Sequence, residues 1–383
     1  RGIPIISYIP NSNKEFLKNA KILKKIKIGN YFFNFDKSLN NGINIFNDKD
    51  VFDIAKLADS QSDKDKLIAG FFNLCKYYEK WIENEEKNTK GKFIKAENYL
   101  IKEMKECAKR IREGIEALKS NNHYWQAFVL ANRAMLLQML QSQKINKLRA
   151  TREKENMTWP IEWHEEIDPS IDINRITEEN KFYWRPFQLA FFLMCFLDLE
   201  EDGKENRSIV DLIWFSTGGG KTEAYLFLAC YELIRRRTRY SKPEKGYGTG
   251  VLTRYTLRFL TADQFSRTTS LGCALEKVRI DNKELLGEEQ FSIGLFVGKK
   301  VSYNNFSAAR KGFNELQENL NTQHLFHITE CPNCGTGLIP KKKEKNQDGS
   351  IKGLGIKVLT NSISSDETPK ISKCSFLFFK ILD

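Results

Sequence analysis

The feature that most constrains the fold is a glycine-rich turn between an apolar run and a helical pattern. The run Ile209-Val-Asp-Leu-Ile-Trp-Phe215 is short and nearly continuously apolar, as expected for a strand buried on both faces of a parallel sheet. It precedes Ser216-Thr217-Gly218-Gly219-Gly220-Lys221-Thr222, after which helical periodicity extends to about Arg237. Glycines let the backbone turn tightly, so that its N–H groups can point at phosphate oxygens. The order of these segments predicts a phosphate-binding loop.

The residues of this loop have distinct expected roles in binding Mg-ATP. Lys221 is expected to reach the β- and γ-phosphates, and the Thr222 hydroxyl is expected to ligate Mg²⁺. The helix that begins near Thr222 adds the positive end of its dipole at the same place. The general phosphate-loop pattern has a glycine where Phe215 stands. The loop is more similar to the variant [AS]-x-T-G-x-G-K-T, which is characteristic of superfamily 2 helicases.

Gln188 lies upstream of the loop, in the segment Tyr183-Trp-Arg-Pro-Phe-Gln-Leu-Ala190. Superfamily 2 motors carry a glutamine at about this distance before the loop. Its amide can both donate to and accept from the edge of adenine, so the resemblance implies a role in ATP binding. The alternative is an aromatic core segment with Gln188 on its exposed side.

Two arginines downstream of the loop are candidates for binding DNA. The segment Val251-Leu-Thr-Arg-Tyr-Thr256 stands where these motors grip the sugar-phosphate backbone of a nucleic-acid strand. Arg254 and Arg258 are the residues expected to make these contacts. A solvated or structural role for both arginines is the alternative.

Helical periodicity dominates the region before the loop, and strands are expected to alternate with helices after it. One helical face carries Leu100, Met104, Cys107, Ile111, Ile115 and Leu118, and a second helix is predicted from about Tyr124 to Gln143. After the loop we expect strands at Gly250–Thr253 and Phe291–Val297, with a helix from about Ala262 to Val278 between them. This alternation predicts an α/β domain.

Two closely spaced cysteines predict a zinc site. Cys331-Pro-Asn-Cys334-Gly335 has the spacing of a knuckle that binds Zn²⁺ from a tight turn. Cys374 is the expected third ligand. The fourth ligand is His327, His324 or a residue beyond Asp383, and a pair of reduced, metal-free thiols is the alternative. The remaining cysteines stand alone, which favours a reducing compartment.

Five segments together resemble the large helicase of DISARM anti-phage defence systems and related bacterial helicases. They are Ala127–Gln138, Trp184–Ala190, Ser216–Tyr225, Leu252–Arg258 and Ile293–Gly298. The resemblance implies an ATP-driven translocase that acts on DNA within a multi-protein defence complex. It also implies a RecA-like P-loop parallel sheet, preceded by a mainly helical domain and interrupted by a small zinc-binding insert.

The expected domain organisation leaves the motor incomplete. Residues 1–65 are unassigned, 66–180 form a helical domain with a connector, 181–330 form the first RecA-like ATP-binding domain, and 331–383 form the zinc-binding insert. Asp366-Glu367 lies in a segment of turn composition, so we assign no catalytic residue. The Mg²⁺-binding acid and a second RecA-like domain are expected outside this chain. We therefore expect the chain to bind Mg-ATP and to hydrolyse little of it.

Charge and hydropathy narrow the possible partners. The net charge of +12, from 61 basic and 49 acidic residues, is compatible with DNA. No segment approaches the roughly 18 uncharged apolar residues of a membrane span, so we expect a cytoplasmic protein without a membrane partner. Two rival functions remain open at this point. One is another kind of P-loop NTPase, and the other is a non-catalytic DNA-binding scaffold with a vestigial nucleotide site.

Overall fold

The computed structural model describes residues 49–87, 94–154, 181–200, 210–211, 220–254, 258–295, 302–303, 305–318, 325–333, 335, 344–345 and 351–352. Most of these residues are helical. The elements in chain order are α1 (Ile54–Leu57), α2 (Lys64–Lys87), α3 (Ile94–Ser120), α4 (Asn122–Lys154), α5 (Pro186–Cys195), α6 (Lys221–Thr238), α7 (Arg258–Asp281), α8 (Lys283–Leu286), α9 (Phe306–Glu318), β1 (Glu344–Lys345) and β2 (Ile351–Lys352). Short 3-10 turns occur at Lys49–Phe52, Phe196–Leu199 and Pro243–Gly246.

The predicted RecA-like parallel sheet is wrong for the described residues. The sheet found there is a two-stranded antiparallel pair, β1 and β2. Each described piece of a predicted strand is coil, and apolar side chains in these pieces face solvent: Val210 is 74% exposed and Leu252 is 92% exposed. A short apolar run is compatible with a buried strand, but a strand also requires a neighbouring backbone with which to pair.

In the third predicted strand, a backbone N–H pairs with a side chain of α7 and not with another strand. The N–H of Phe291 donates to the Glu276 carboxylate in α7. Ile293 packs against α7 at Gly272, where an added Cβ would lie 2.5 Å from Ile293 Cδ1. The segment that begins at Phe291 is therefore fixed by a helix and not by a sheet.

Local helical periodicity predicted the helices well. α3, α4, α6 and α7 confirm the four helices expected from the sequence, and the last three extend somewhat beyond their predicted bounds. The predicted apolar face of α3 is buried except for Leu100, which is half-buried. No helix in the part of the chain that the structure describes is long and apolar enough to span a bilayer.

The described residues belong to two compact units, and the division falls within α4. The first unit comprises Arg1–Leu136, Asp172–Val251 and Glu284–Gly287; the second comprises Leu137–Ile171, Leu252–Lys283 and Glu288–Asp383. The domain boundaries predicted at residues 65, 180 and 330 stay predictions.

An aromatic cluster forms the core of the first unit. Phe192 of α5 stacks on Phe227 of α6 with ring centroids 4.4 Å apart, and Trp184 also stacks with Phe227, at 4.6 Å. Phe128 of α4 lies 5.3 Å from Phe192. Such pairs add about 0.5–1.5 kcal/mol each beyond the area that they bury. The cluster therefore fixes the segment around Gln188 against α6.

Close approach between α3 and α5 depends on a glycine. A Cβ added at Gly114 of α3 would lie 1.9 Å from the carbonyl oxygen of Leu193 in α5. Since that neighbour is backbone, a larger residue at position 114 would force the two helices apart. This contact brings the buried side of α3, including Arg110, next to the C-terminal end of α5.

The second unit contains α7, α9 and the C-terminal half of α4. The side-chain amide of Gln141 in α4 donates to Asn333 Oδ1 at 2.6 Å, and Arg149 pairs with Glu330 at 2.8 Å. Phe326 packs between Phe313 of α9, at 6.1 Å, and Tyr303, at 5.0 Å. These contacts hold the segment that leads to Cys331.

Candidate functional site

The start of α6 is built around Gly220. Gly220 caps the helix with φ of 83° and ψ of 26°, a left-handed conformation that residues with a Cβ adopt only at a cost. The next two residues, Lys221 and Thr222, begin the helix and are half-buried. The first four N–H groups of a helix have no partner within the helix, and its dipole makes this end positive. The geometry is suited to holding an anion.

Gln188 connects the starts of two helices. α5 begins with Pro186 in its first turn, where a missing N–H costs nothing. The Gln188 side chain is 4% exposed. Its Oε1 accepts from the N–H of Arg185 at 2.8 Å, and its Nε2 donates to the carbonyl of Gly220 at 2.7 Å. The structure thus places Gln188 next to Gly220 and not on an exposed side, and the predicted contact with adenine stays a prediction.

Two charged side chains flank Gly220 and were missed by the sequence reasoning. A Cβ added at Gly220 would lie 3.6 Å from Arg185 Nη1 and 3.6 Å from Glu223 Oε2. Arg185 immediately precedes the proline that opens α5, and Glu223 is acidic in the first turn of α6. Arg185 lies three residues before Gln188, and Glu223 lies two residues after Lys221. This closeness in sequence to two predicted site residues was the signal that could have identified them.

The Thr222 hydroxyl accepts a hydrogen bond from a neighbouring side chain. The Tyr225 hydroxyl lies 3.2 Å from Thr222 Oγ1 and donates to it. A hydroxyl oxygen has two lone pairs, so Thr222 keeps acceptor capacity for a metal ion when Tyr225 uses one of them. The residue therefore fits the role of a Mg²⁺ ligand.

A buried ion cluster lies at Asp211, on the other side of the glycine-rich segment in sequence. Arg110 of α3 is 5% exposed and grips Asp211 with both terminal nitrogens, at 2.8 and 2.9 Å. The same guanidinium donates to Asp198 at 2.5 Å, and the Cys195 thiol donates to Asp211 at 3.4 Å. Burial alone would lower the pKa of Arg110. The hydrogen bonds to Asp211 and the negative charges of Asp211 and Asp198 outweigh burial, so the pKa of Arg110 is raised. Bidentate pairing of this kind fixes position as well as charge.

The other nucleotide and DNA candidates are placed only in part. Ser216, Thr217, Gly218 and Gly219 lie outside the described residues. Arg254 is exposed, and Arg258 begins α7 with a side chain outside the described set. Both arginines belong to the second unit.

The cysteine segment forms a tight turn at Cys331. The N–H of Gly335 donates to the Cys331 carbonyl at 2.8 Å, and Gly335 has φ of 73°, which favours glycine. Cys331 is 1% exposed, and the buried His327 Nε2 has no hydrogen-bond partner among the described residues. Cys334 and Cys374 lie outside that set, within which no three potential ligands group together.

A helix start with a left-handed glycine cap, a following Lys-Thr pair and a buried amide defines a candidate phosphate-binding site. No family model matches the chain. The chain is 33% identical over 325 residues to the DISARM protein DrmA of Bacillus paralicheniformis. The match covers 82% of this chain and 27% of that protein, so the chain spans about a quarter of the relative's length. The chain is therefore related to a DISARM protein.

Proposed function

We propose that this chain binds Mg-ATP through Ser216–Thr222 and is the ATP-binding portion of a DNA helicase or translocase in a bacterial anti-phage defence system. The observation that carries the nucleotide site is the Gly220 cap. Its conformation places Lys221 and Thr222 at the positive end of α6, and the buried amide of Gln188 holds it there.

Each described residue of the proposed site has a role that its surroundings allow. Lys221 supplies the positive charge for the β- and γ-phosphates, as a lysine after a glycine-rich turn does. Thr222 holds Mg²⁺ with the lone pair that Tyr225 leaves. The bound ion neutralises charge on the phosphate oxygens.

The defence context and the DNA partner rest on other observations. The relative is a DISARM protein, and the relation extends over 325 residues. The net charge of +12 favours a polyanionic partner, and Arg254 is exposed to one. We propose that Arg254 and Arg258 contact the DNA backbone and that other proteins of the defence system assemble with the longer protein.

Calorimetric titration with Mg-ATP tests the nucleotide site. We expect Lys221→Ala to weaken binding at least tenfold without lowering the free energy of unfolding, because Lys221 acts on the ligand. Lys242→Ala, which removes the same charge from an exposed position of the same unit, is the matched control and should bind like the wild type. Equal affinity in all three proteins would exclude this site. Phosphate release should be slow, because we assign no water-activating acid to this chain.

DNA binding is tested by titrations at several salt concentrations. Contacts to phosphates make the affinity independent of sequence and strongly dependent on salt. Arg254→Gln should weaken binding and reduce the salt dependence. Lys311→Gln, whose side chain in α9 is 81% exposed, is the control for loss of one positive charge in the same unit. Binding that is specific for bases and insensitive to salt would contradict the proposal.

We also propose a structural zinc site formed by Cys331, Cys334, Cys374 and His327. The Gly335 turn around Cys331 and the unpartnered Nε2 of His327 fit such a site. Metal analysis of the Cys331→Ser/Cys334→Ser variant should show the loss of one zinc ion. Cys273→Ser, which removes a half-buried single thiol, should retain it. The same metal content in all proteins would rule out the site.

A further inference from the structure

We propose that Gln141 and Asn333 are positioning residues of the zinc site, which hold the cysteine turn on α4 and supply a hydrogen-bond donor to a metal-bound thiolate of that turn. The cysteine turn begins at Cys331 and closes where the Gly335 N–H donates to the Cys331 carbonyl at 2.8 Å. The inference rests on the proposed zinc site and adds to it two residues that are not ligands. Both residues belong to the second unit.

One face of α4 holds the chain on both sides of Cys331. Three side chains spaced by four residues lie on this face, since that spacing returns to the same side of a helix: Gln141, Ile145 and Arg149. The Arg149 guanidinium pairs with Glu330 at 2.8 Å, directly before Cys331. A Cβ added at Gly335 would lie 3.4 Å from Ile145 Cγ1, so the far end of the turn also lies against α4.

The middle of the turn is held by two buried amides. Gln141 Nε2 donates to Asn333 Oδ1 at 2.6 Å, and the two residues are 0% and 2% exposed. Within the described ranges, the other atoms of both amides, Asn333 Nδ2 and Gln141 Oε1, have no hydrogen-bond partner. Buried polar atoms without partners are rare in native proteins, so each one calls for an explanation. The unpartnered donor on Asn333 indicates an acceptor that binds at the turn together with a ligand.

A metal-bound thiolate is an acceptor of this kind. It carries negative charge, and hydrogen bonds to charged acceptors are stronger than those between neutral groups. Asn333 lies two residues after Cys331, within the cysteine turn itself. Its amide is planar like a peptide group, so the bond from Gln141 to Oδ1 also directs Nδ2. Groups that hydrogen-bond to metal ligands orient these ligands, and losing one typically lowers metal affinity 10–100-fold.

A purely structural role for the amide pair predicts a different result. Replacing both partners of a buried hydrogen bond by apolar groups of similar shape can leave stability nearly unchanged. If the pair only fastens the turn, the double variant Gln141→Met/Asn333→Leu should therefore bind metal like the wild type. If Asn333 supplies a donor to a thiolate, no apolar pair can take its place.

Cobalt titration of the 383-residue chain separates the two roles. Co²⁺ accepts the tetrahedral sulfur and nitrogen ligands of Zn²⁺, and its absorption reports on the thiolates. We expect the double variant to bind Co²⁺ about tenfold more weakly. Its sulfur-to-cobalt charge-transfer band should lie at longer wavelength, because a thiolate without the donor gives up electron density more readily. Its melting temperature without metal should stay close to the wild-type value.

Gln138→Met is the matched control. Gln138 is another buried glutamine of α4, but its Nε2 donates to Ser142 of the same helix, at 3.0 Å. This variant should keep the affinity and the band of the wild type. If the double variant does not fold, Asn333→Asp keeps the acceptor for Gln141 and loses only the Nδ2 donor. Its charge-transfer band should also lie at longer wavelength.

Wild-type affinity together with an unchanged band in the Asn333 variants would overturn the proposal, because the pair would then only fasten the turn. An equal loss in Gln138→Met would overturn it too, because the effect would then follow from any change of a buried glutamine in α4. Failure of the proposed zinc site has a different signature: the wild type would show no sulfur-to-cobalt band, and the positioning role would fall with the site.

Discussion

The two ends of α6 are fixed in opposite ways. At the start, a neutral amide holds a backbone carbonyl, that of Gly220. At the end, charged side chains hold one another: Arg235 binds Glu232 at 2.7 Å and Glu200 at 3.3 Å, and the Tyr231 hydroxyl donates to Glu200 at 2.8 Å. The Glu200 side chain is 3% exposed, so this cluster is shielded from water.

This difference indicates that the end of α6 contributes to stability and that its start contributes to ligand binding. The cluster at the end satisfies its charges internally, and arginines there also complement the negative end of the helix dipole. Arg236 and Arg237 also fix this end of the helix, because they donate to the backbone carbonyls of Gly246 and Leu286 at 3.2 and 3.1 Å. We therefore expect changes at the end to affect unfolding and changes at the start to affect the ligand.

The largest expected effect is from Arg235→Met. It leaves the buried Glu200 carboxylate without its guanidinium, and breaking a buried pair in this way costs about 3 kcal/mol of folding free energy. Urea denaturation measures the loss. Arg239→Met, an exposed arginine just beyond the same helix, should cost less than about 0.5 kcal/mol.

The affinity of Arg235→Met for Mg-ATP tests whether the two ends of α6 act independently. Under conditions in which the variant is folded, the affinity should equal that of the wild type. A parallel fall in stability and affinity would show that the two ends of α6 act as one unit.

The next effect is expected at Gly220. Gly220→Ala forces a Cβ into a left-handed conformation, which costs about 1–2 kcal/mol, and directs it at Gln188 Nε2. Both stability and affinity for triphosphate should fall. Gly248→Ala is the matched control, because Gly248 has φ of 96° with nothing within 4 Å of an added Cβ. It should lose stability alone, and equal affinities for the two variants would contradict the role of Gly220 in the proposed nucleotide site.

The smallest effect concerns pH. Burial raises the pKa of Glu200, although Arg235 and the Tyr231 hydroxyl oppose the shift. A carboxyl group whose pKa is higher in the folded state binds its proton more tightly there, so it favours folding at low pH and loses this contribution as pH rises through the folded pKa.

We therefore expect the wild type to gain stability relative to Glu200→Gln as pH falls from neutrality toward 4.5, the ordinary pKa of the group. Denaturation curves of both proteins across this range measure the gain. A difference in stability that does not change with pH would show that the ion pair offsets burial, and a wild type that loses stability relative to the variant as pH falls would show that the ion pair outweighs burial.

The sequence predicted what depends on local pattern. The spacing of Met104, Ile111 and Ile115 located α3, and the glycine turn before Lys221 located the start of α6. For the residues that the structure describes, the strand predictions failed because pairing is a property of distant segments: Val210 and Leu252 are apolar yet exposed. Gln188 was found from its distance to the loop in sequence. The sequence pattern did not predict that its side-chain amide donates to the Gly220 carbonyl.

Arg110 was missed for a related reason. It lies on a helical face with ordinary composition, and its partners Asp198 and Asp211 are 88 and 101 residues away. A single sequence contains no signal for such a pairing. The contact between α3 and α5 at Gly114 brings Arg110 close to these distant partners.

The bond between Arg110 and Asp211 also bears on the order of folding. It closes a loop of 101 residues, and the entropy lost on closing a loop grows with its length. Helices such as α3 and α6 can form from nearby residues, whereas this contact has to wait until the intervening chain is arranged. The pair of Arg110 and Asp211 is thus expected to form late in folding. Loss of this pair would speed unfolding more than it would slow folding, because a contact absent from the transition state acts on the unfolding rate.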